Sequence, residues 1–262
     1  MRKKILHLIT GLEIGGAEIM LLKTLPQLNK FKNTVCVIKG PTKIGKELEE
    51  NNIKVYYLKI GKKFCPQIIW KFYKIIKKEK PNILVTYLIH ADIFGRIFGK
   101  LFGVKKIICF FRNKHPNKKG LLFLEKLTSF LVSHYLANSN AVKDFYISKL
   151  KISQKKITTI PNGVEIEKFS INIDKSQKRK ELGFGKNDFL IGCIANFKKQ
   201  KGHQYLLKAF KKVLNKYPKT KLLLIGKGKE RKSLEKLASG LKIQKRVIFL
   251  RLLVDTGALF VF

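Results

Sequence analysis

Lys4-Ile-Leu-His-Leu-Ile-Thr10 runs into Gly11-Leu-Glu-Ile-Gly15-Gly16-Ala17-Glu18, and that turn runs into Ile-Met-Leu-Leu-Lys23 and beyond, with Leu21, Leu25 and Leu28 three or four residues apart. A β-rich block, a glycine turn and a stretch of helical period form the first two thirds of a βαβ unit. Outward from this stretch the same alternation repeats. Strands are predicted near Thr34–Lys39, Lys54–Ile60, Ile83–Ile89, Lys105–Phe111, Tyr135–Ser139 and Lys156–Pro161. Helices are predicted near Ala17–Leu28, Gly45–Asn51, Pro66–Glu79, Asp92–Phe102, Gly120–Ser133 and Ala141–Leu150. Strands this continuous in Val, Ile, Leu and Phe suit a parallel sheet covered on both faces.

After Pro161-Asn162-Gly163 the chain is polar from Glu165 to Lys180, which marks a domain boundary and gives an N-terminal domain over 1–165 and a second over 166–262. The second series is shorter: strand Phe189–Ala195, helix His203–Tyr217, strand Lys221–Ile225, helix Glu230–Leu241, strand Val247–Leu250, and a weak strand at Ala258–Phe262. A doubly wound half uses five or six strands, so the fold expected is α/β with two Rossmann-like domains on parallel sheets, the second incomplete.

The 56 Lys and Arg against 17 Asp and Glu leave a net charge of +39 on a chain that is 45% hydrophobic. The apolar content excludes a disordered tail. The charge favours polyanions in general, whether nucleic acid, an anionic membrane surface or phosphorylated small molecules. Cys36, Cys65, Cys109 and Cys193 are widely spaced without a Cys-x-x-Cys pair, as expected of reduced thiols in a cytoplasmic protein. The apolar run behind Met1-Arg-Lys-Lys is too short for a signal peptide, and the longest one, Leu121–Leu136, carries Glu125 and Lys126, so no membrane span is expected.

Gly40-Pro-Thr-Lys-Ile-Gly45-Lys46-Glu47 comes within one residue of a P-loop, but Glu47 stands where a hydroxyl must reach Mg²⁺ and would repel phosphate. Gly15-Gly16 follows the first strand, where open α/β sheets bind ligands, and lets a ligand approach backbone at a positive helix end. Asn196-Phe-Lys198-Lys199-Gln-Lys201-Gly202 occupies the same place in the second domain and brings three lysines to a helix N-terminus, a chemistry suited to a diphosphate without metal. Gly226-Lys227-Gly228 follows the next strand, but Arg231 fills the third glycine position and no acidic residue follows at Leu250, against a nicotinamide site. Asp-x-Asp and His-Glu-x-x-His are absent and the five histidines have no ligand spacing, so no metal is expected. His90 and His115 follow strands at the presumed ligand edge, where an imidazole can act as acid or base.

Gly15-Gly16-Ala17-Glu18, Ile160-Pro-Asn-Gly163-Val164 with Phe169, Lys201-Gly202, and Leu224-Ile-Gly226-x-Gly228, in that order, resemble the retaining nucleotide-sugar glycosyltransferases of family 4, which have the GT-B architecture. The resemblance runs to about Leu250. It implies an acceptor-side N-terminal domain facing a sugar-nucleotide domain across a cleft, and a metal-independent transfer of sugar, with retention, to a cell-surface polysaccharide or lipid-linked acceptor. It makes Gly15 and Gly16 the acceptor and sugar loop, and Lys201, with Lys198, Gly202 and Gly226, the donor diphosphate site. Where the family often carries a His at the end of the fifth strand, this chain has Arg112, which with His90 is a candidate catalytic residue. Family members continue through a Glu-x7-Glu segment that is not present here, so the resemblance implies a truncated chain of impaired or no activity. Its localisation is expected to be cytoplasmic, at the inner face of the membrane through its basic surface. The alternatives are a non-catalytic remnant and a polyanion or nucleic-acid binder; the latter has only the charge behind it, and no specific nucleic acid is expected.

Overall fold

The computed structural model describes residues 2–13, 15–60, 66–115, 119–166, 174–181, 183–185 and 187–250. The chain divides into two compact units, Met1–Gly163 and Val164–Phe262.

In the first unit β1 (Lys4–Ile9), α1 (Gly16–Thr24), β2 (Lys32–Val37), α2 (Lys43–Glu50), β3 (Lys54–Tyr57), α3 (Gln67–Glu79), β4 (Ile83–Tyr87), α4 (Ile89–Leu101), β5 (Lys106–Phe111), α5 (Lys119–Leu127), β6 (His134–Ala137), α6 (Asn140–Leu150) and β7 (Ile157–Thr159) alternate along the chain. The seven strands form one parallel sheet in the order β3-β2-β1-β4-β5-β6-β7. The order reverses between β1 and β4, and the carboxyl ends of those strands are where such sheets bind ligands. Alternation along β1 explains why the sheet is covered twice. Leu6 and Leu8 face a core built with Phe72, Ile75, Ala91, Val142 and Tyr146 of α3, α4 and α6. Ile5 and Ile9 face the opposite core with Leu21, Ile44 and Leu48 of α1 and α2. Helix α4 lies close to the sheet because Gly95 and Gly99, one turn apart, leave no side chain in the seam; a Cβ on either would strike Thr86, Leu8 or Leu84.

His7 interrupts the apolar run of β1, and it is buried. Asn33 donates its amide to Leu28 O at 3.0 Å, which turns Oδ1 toward His7 Nε2 at 3.1 Å. Nε2 therefore carries the proton, and Nδ1 accepts from the Tyr87 hydroxyl at 3.0 Å. Burial pushes the imidazole down to about 4. The unfolded chain takes up this proton near pH 6.5 and the folded chain does not, so the stability contributed by neutral His7 is present above pH 6.5 and drains away as pH falls toward 4. Between pH 6.5 and 5.5 the advantage of the parent over a His7→Asn variant is expected to narrow by about 1 kcal/mol, as read by urea unfolding at each pH.

The second unit holds α7 (Lys175–Glu181), β8 (Phe189–Ile194), α8 (His203–Lys216), β9 (Thr220–Ile225), α9 (Arg231–Gly240) and β10 (Val247–Leu250), with a parallel sheet ordered β10-β9-β8. Phe197, Leu207, Phe210, Leu222, Leu224, Leu234 and Ala238 pack α8 and α9 onto one face of it. The two-sheet α/β architecture expected from the sequence is present, with three strands described in the second sheet. The predicted strand at 258–262, Cys65 and Phe169 lie outside the described residues.

Two local readings differ. The polar connector contains α7, whose start is capped by Asp174 Oδ1, accepting from the amides of Ser176 at 2.8 Å and Gln177 at 3.2 Å. A short helix without an apolar stripe has only its cap to announce it. The long helix expected over Gly120–Ser133 ends as α5 at Leu127, where Thr128 Oγ1 turns back to Leu124 O at 2.7 Å and a 3₁₀ turn follows over Ser129–Leu131.

Candidate functional site

The carboxyl edge of the first sheet collects polar groups that the fold leaves unsatisfied. Thr10 Oγ1, Tyr57 OH, Arg112 Nε, Asn138 Oδ1 and Thr159 Oγ1 are buried without a hydrogen-bond partner among the described residues. Each stands at or just beyond the carboxyl end of a different strand: β1, β3, β5, β6 and β7. Buried polar groups without partners are rare, and three of these, Arg112 Nε, Asn138 Oδ1 and Thr159 Oγ1, stand at the ends of the neighbouring strands β5, β6 and β7.

Arg112 is central to this edge. Its backbone carbonyl accepts from Asn138 Nδ2 at 3.0 Å, its Nη1 donates to Asn162 Oδ1 at 2.6 Å, and its guanidinium lies 4.1 Å from the Phe110 ring centroid. Burial lowers its basicity, while Tyr87 and Glu18 oppose that shift. A guanidinium so placed stays cationic and keeps a donor for an incoming oxygen. Glu18 sits in the first turn of α1, so its field links Arg112 to the glycine loop. Gly15 caps α1 in an extended conformation, and Gly16 opens it with empty space in front of its Cα. A ligand can therefore approach Gly16 backbone, as its sequence position predicts.

His90 stands one strand over, exposed in the first turn of α4. The turn that delivers it holds Leu88 at φ 72, a left-handed conformation costly for a residue other than glycine. Among the described residues Thr10, Lys39 and His90 line one groove, which places His90 beside the end of β1. The near-P-loop is an ordinary helix start: Thr42 Oγ1 caps α2 by accepting from the Gly45 amide.

In the second unit the Asn196–Gly202 segment leaves β8, makes a 3₁₀ turn over Lys199–Lys201, and enters α8 through Gly202 at φ 70. Phe197 anchors the segment, fully buried, while Lys198, Lys199 and Lys201 are exposed around the helix entrance. The glycines of Gly226-Lys227-Gly228 hold it from below: a Cβ on Gly226 would strike the Ala195 carbonyl, and one on Gly228 the Phe197 backbone. The Phe197 amide donates to Lys227 O at 3.0 Å, and the Gly226 amide is engaged by Leu250 O at 3.0 Å. Gly226 thus supports the lysine loop through close packing. Gly226→Ala is expected to cost about 1–3 kcal/mol through overpacking and to displace the loop, seen as a lower melting temperature together with lost ligand binding.

Sequence reasoning missed His203. It is buried against Phe197, edge to face at 5.2 Å, with neither ring nitrogen paired among the described residues. Burial, then Lys201, keeps it below the usual imidazole range, so it is neutral beside the lysines. It lines a cavity of about 160 Å³ with Lys198, Lys199, Gln204 and Glu230. Its one sequence signal is adjacency to Lys201-Gly202. Asn138, Asn162 and Thr10 were missed too, since strand-end Asn and Thr read as turn residues. Among the described residues no three His, Cys, Asp or Glu side chains converge as metal ligands, and no helix is long and apolar enough to cross a membrane.

The sequence profile described as Glycosyltransferase Family 4 matches residues 14–168, and that of Glycosyl transferases group 1 matches residues 174–254. A UDP-Gal:alpha-D-GlcNAc-diphosphoundecaprenol alpha-1,3-galactosyltransferase of Escherichia coli is 29% identical over 189 residues, covering 68% of this chain and 49% of that protein. The capsular polysaccharide biosynthesis glycosyltransferase CapH of Staphylococcus aureus is 27% identical over 196 residues, covering 69% and 52%. The chain spans about half the length of these curated relatives. The crystal structure of Anabaena Alr3699/HepE in complex with UDP and glucose superposes with a TM-score of 0.84 at 20% identity, over 98% of this chain and 71% of that one, a likeness of fold.

Proposed function

The chain belongs to Glycosyltransferase Family 4, and from that premise we propose that it transfers a sugar from a nucleoside-diphosphate sugar to a glycan or lipid-linked acceptor of the cell surface, without a metal and with the anomeric configuration retained. The observation that carries this reading is the Lys198–Gly202 loop, three exposed cations gathered at the entrance of α8 by glycines that admit no side chain. In the transfer an acceptor hydroxyl oxygen bonds to the anomeric carbon, and the bond from that carbon to the β-phosphate oxygen breaks. The electron pair leaves with the nucleoside diphosphate, and the hydroxyl proton goes to His90. Lys201 and Lys198, with the free amides of the α8 end, meet the charge that develops on the diphosphate.

On the first unit Gly15 and Gly16 give room to the acceptor and the transferred sugar, while Arg112 and His90 contact the reacting groups: Arg112 as a fixed donor to an acceptor oxygen, His90 as a proton acceptor for its hydroxyl. The basic surface supports residence at the inner face of an anionic membrane. The relatives support the two substrate classes, since one is named for UDP-Gal and a diphosphoundecaprenol acceptor.

The test is incubation of the protein with UDP- and GDP-sugars and lipid-linked sugar acceptors, following nucleoside diphosphate release and product mass. A product longer by one sugar, its anomeric coupling matching the donor, is expected. Nucleoside diphosphate release that is the same with and without every acceptor would overturn the transferase reading.

A further inference from the structure

Four neighbouring strands of the first sheet begin on cations. Lys4 opens β1, Lys32 opens β2 and Lys54 opens β3, while Lys80 stands three residues ahead of β4. Parallel pairing in the order β3-β2-β1-β4 brings all four starts to one edge of the sheet, the edge away from its carboxyl ends. Lys4 and Lys32 are partners in register, on strands about 4.8 Å apart. Like charges set directly opposite each other cost the folded chain, unless an anion meets them.

Arg2 and Lys3 extend the row, and these six cations wall a recess of about 890 Å³ that no carboxylate lines. One carboxylate reaches this edge from α3. Glu79 accepts from Lys54 Nζ at 2.9 Å and from the Tyr56 hydroxyl at 2.6 Å, and Lys32 acts on it through its field. Among the described residues no carboxylate forms an ion pair with Arg2, Lys3, Lys4, Lys32 or Lys80. Main chain fixes where these charges start. The Lys32 amide donates to Lys3 O at 2.9 Å, and the Lys80 amide closes α3 on Ile76 O at 2.8 Å. Asn82 Oδ1 accepts from the Lys4 amide at 2.8 Å, which leaves its side-chain nitrogen to donate to another acceptor.

The recess differs from a membrane-binding face. Such a face sets its cations beside exposed aromatic or aliphatic side chains that enter the lipid. Here the apolar lining, Leu25, Leu28, Phe31 and Ile53, is buried or half-buried. The occupant is therefore soluble. The four strand starts span three inter-strand spacings, about 14 Å, so a single phosphate reaches one or two of the cations and a linked row of phosphates reaches most of them.

We propose that this recess binds a soluble oligophosphate, laid across the starts of β3, β2, β1 and β4. The site belongs to the first unit alone and does not rest on the transfer of a sugar. Calorimetric titration at about 0.15 M salt with inorganic tripolyphosphate and with orthophosphate tests it. Tripolyphosphate is expected to saturate at one per chain and to bind at least ten-fold tighter than orthophosphate, since each further hydrogen bond between charged groups contributes about ten-fold or more. It should also raise the melting temperature, because it binds only the folded chain.

The pair Lys32→Gln with Lys80→Asn is expected to weaken tripolyphosphate at least ten-fold, and Lys3→Gln, ahead of β1, repeats the loss outside the strands. Lys208→Gln with Lys212→Gln, exposed on α8, removes the same charge and should change binding by less than three-fold. Lys201→Glu should retain it. Equal losses from the recess pair and the α8 pair, or orthophosphate as tight as tripolyphosphate, overturns the proposal in favour of general charge. Loss with Lys201→Glu and not with the recess variants overturns it in favour of the lysine loop. Binding to phosphatidylglycerol vesicles that the recess variants abolish, without tripolyphosphate binding, overturns it in favour of a membrane.

Discussion

Replacing Arg96 by Met is expected to cost about 3–5 kcal/mol of stability, the typical loss when one partner of a buried ion pair is removed. Arg96 and Glu125 are both fully buried. The guanidinium donates to Glu125 Oε2 at 2.6 Å, to the Glu125 carbonyl at 3.0 Å and to the Asp92 carbonyl at 3.2 Å, so it joins α4 to α5 through main chain as well as charge. Burial raises Glu125, and Arg96 opposes that shift. Burial, then the Glu125 carboxylate, pushes Asp92 well above the usual carboxylate range, so Asp92 holds its proton and the cluster keeps one cation against one anion. Without Arg96 the Glu125 carboxylate has lost its countercharge in a dry seam. The double variant Arg96→Met with Glu125→Leu is expected to recover most of the loss, because two apolar side chains fill the seam without desolvating a charge. Urea unfolding of parent, single and double variants decides it; a single variant as stable as the parent would show that the pair does not hold α5 in place.

Lys201→Glu is expected to weaken UDP binding by about 100-fold or more. A hydrogen bond to a charged group contributes about 1.5–3 kcal/mol, or roughly 10–150-fold, and the reversal adds repulsion from the diphosphate. Lys201 is exposed and ends the 3₁₀ turn, so the substitution leaves the fold intact and the thermal melt unchanged. Lys216→Glu makes the same change of charge at the far end of α8. It should weaken binding only a few-fold through the long-range field, and that residue should vanish at high salt. Equal losses from the two variants would mean that UDP responds to the overall charge and not to the loop.

Much of this was legible in the sequence because period and punctuation are local signals. The alternation of Leu6 and Leu8 with Ile5 and Ile9 places β1 in the middle of a sheet, and Gly15-Gly16 marks where its strand turns into α1. Lys198, Lys201 and Gly202 lie within five residues of one another, so their convergence needs no knowledge of the fold. The first unit's site was far less legible. Arg112 is 50 residues from Asn162 and 26 from Asn138, and only the parallel register of β5, β6 and β7 brings those side chains together. Glu125 in sequence is a charge breaking an apolar run; in the structure it is the inward partner of Arg96, 29 residues away. The resemblance puts Gly226 in the donor diphosphate site, yet its visible work is to admit the Ala195 carbonyl, which pattern alone does not reveal.

A nucleoside-diphosphate site on the Lys198–Gly202 loop differs from the general pull of a strongly basic surface in saturating with a small ligand at physiological salt. Calorimetric titration at about 0.15 M salt would compare UDP-glucose, UMP and a DNA duplex. Saturable UDP-glucose binding, weaker UMP binding for want of the second phosphate, and duplex binding that fades with salt is the result predicted here. Duplex binding that persists at that salt, with UDP-glucose no tighter than UMP, would contradict it.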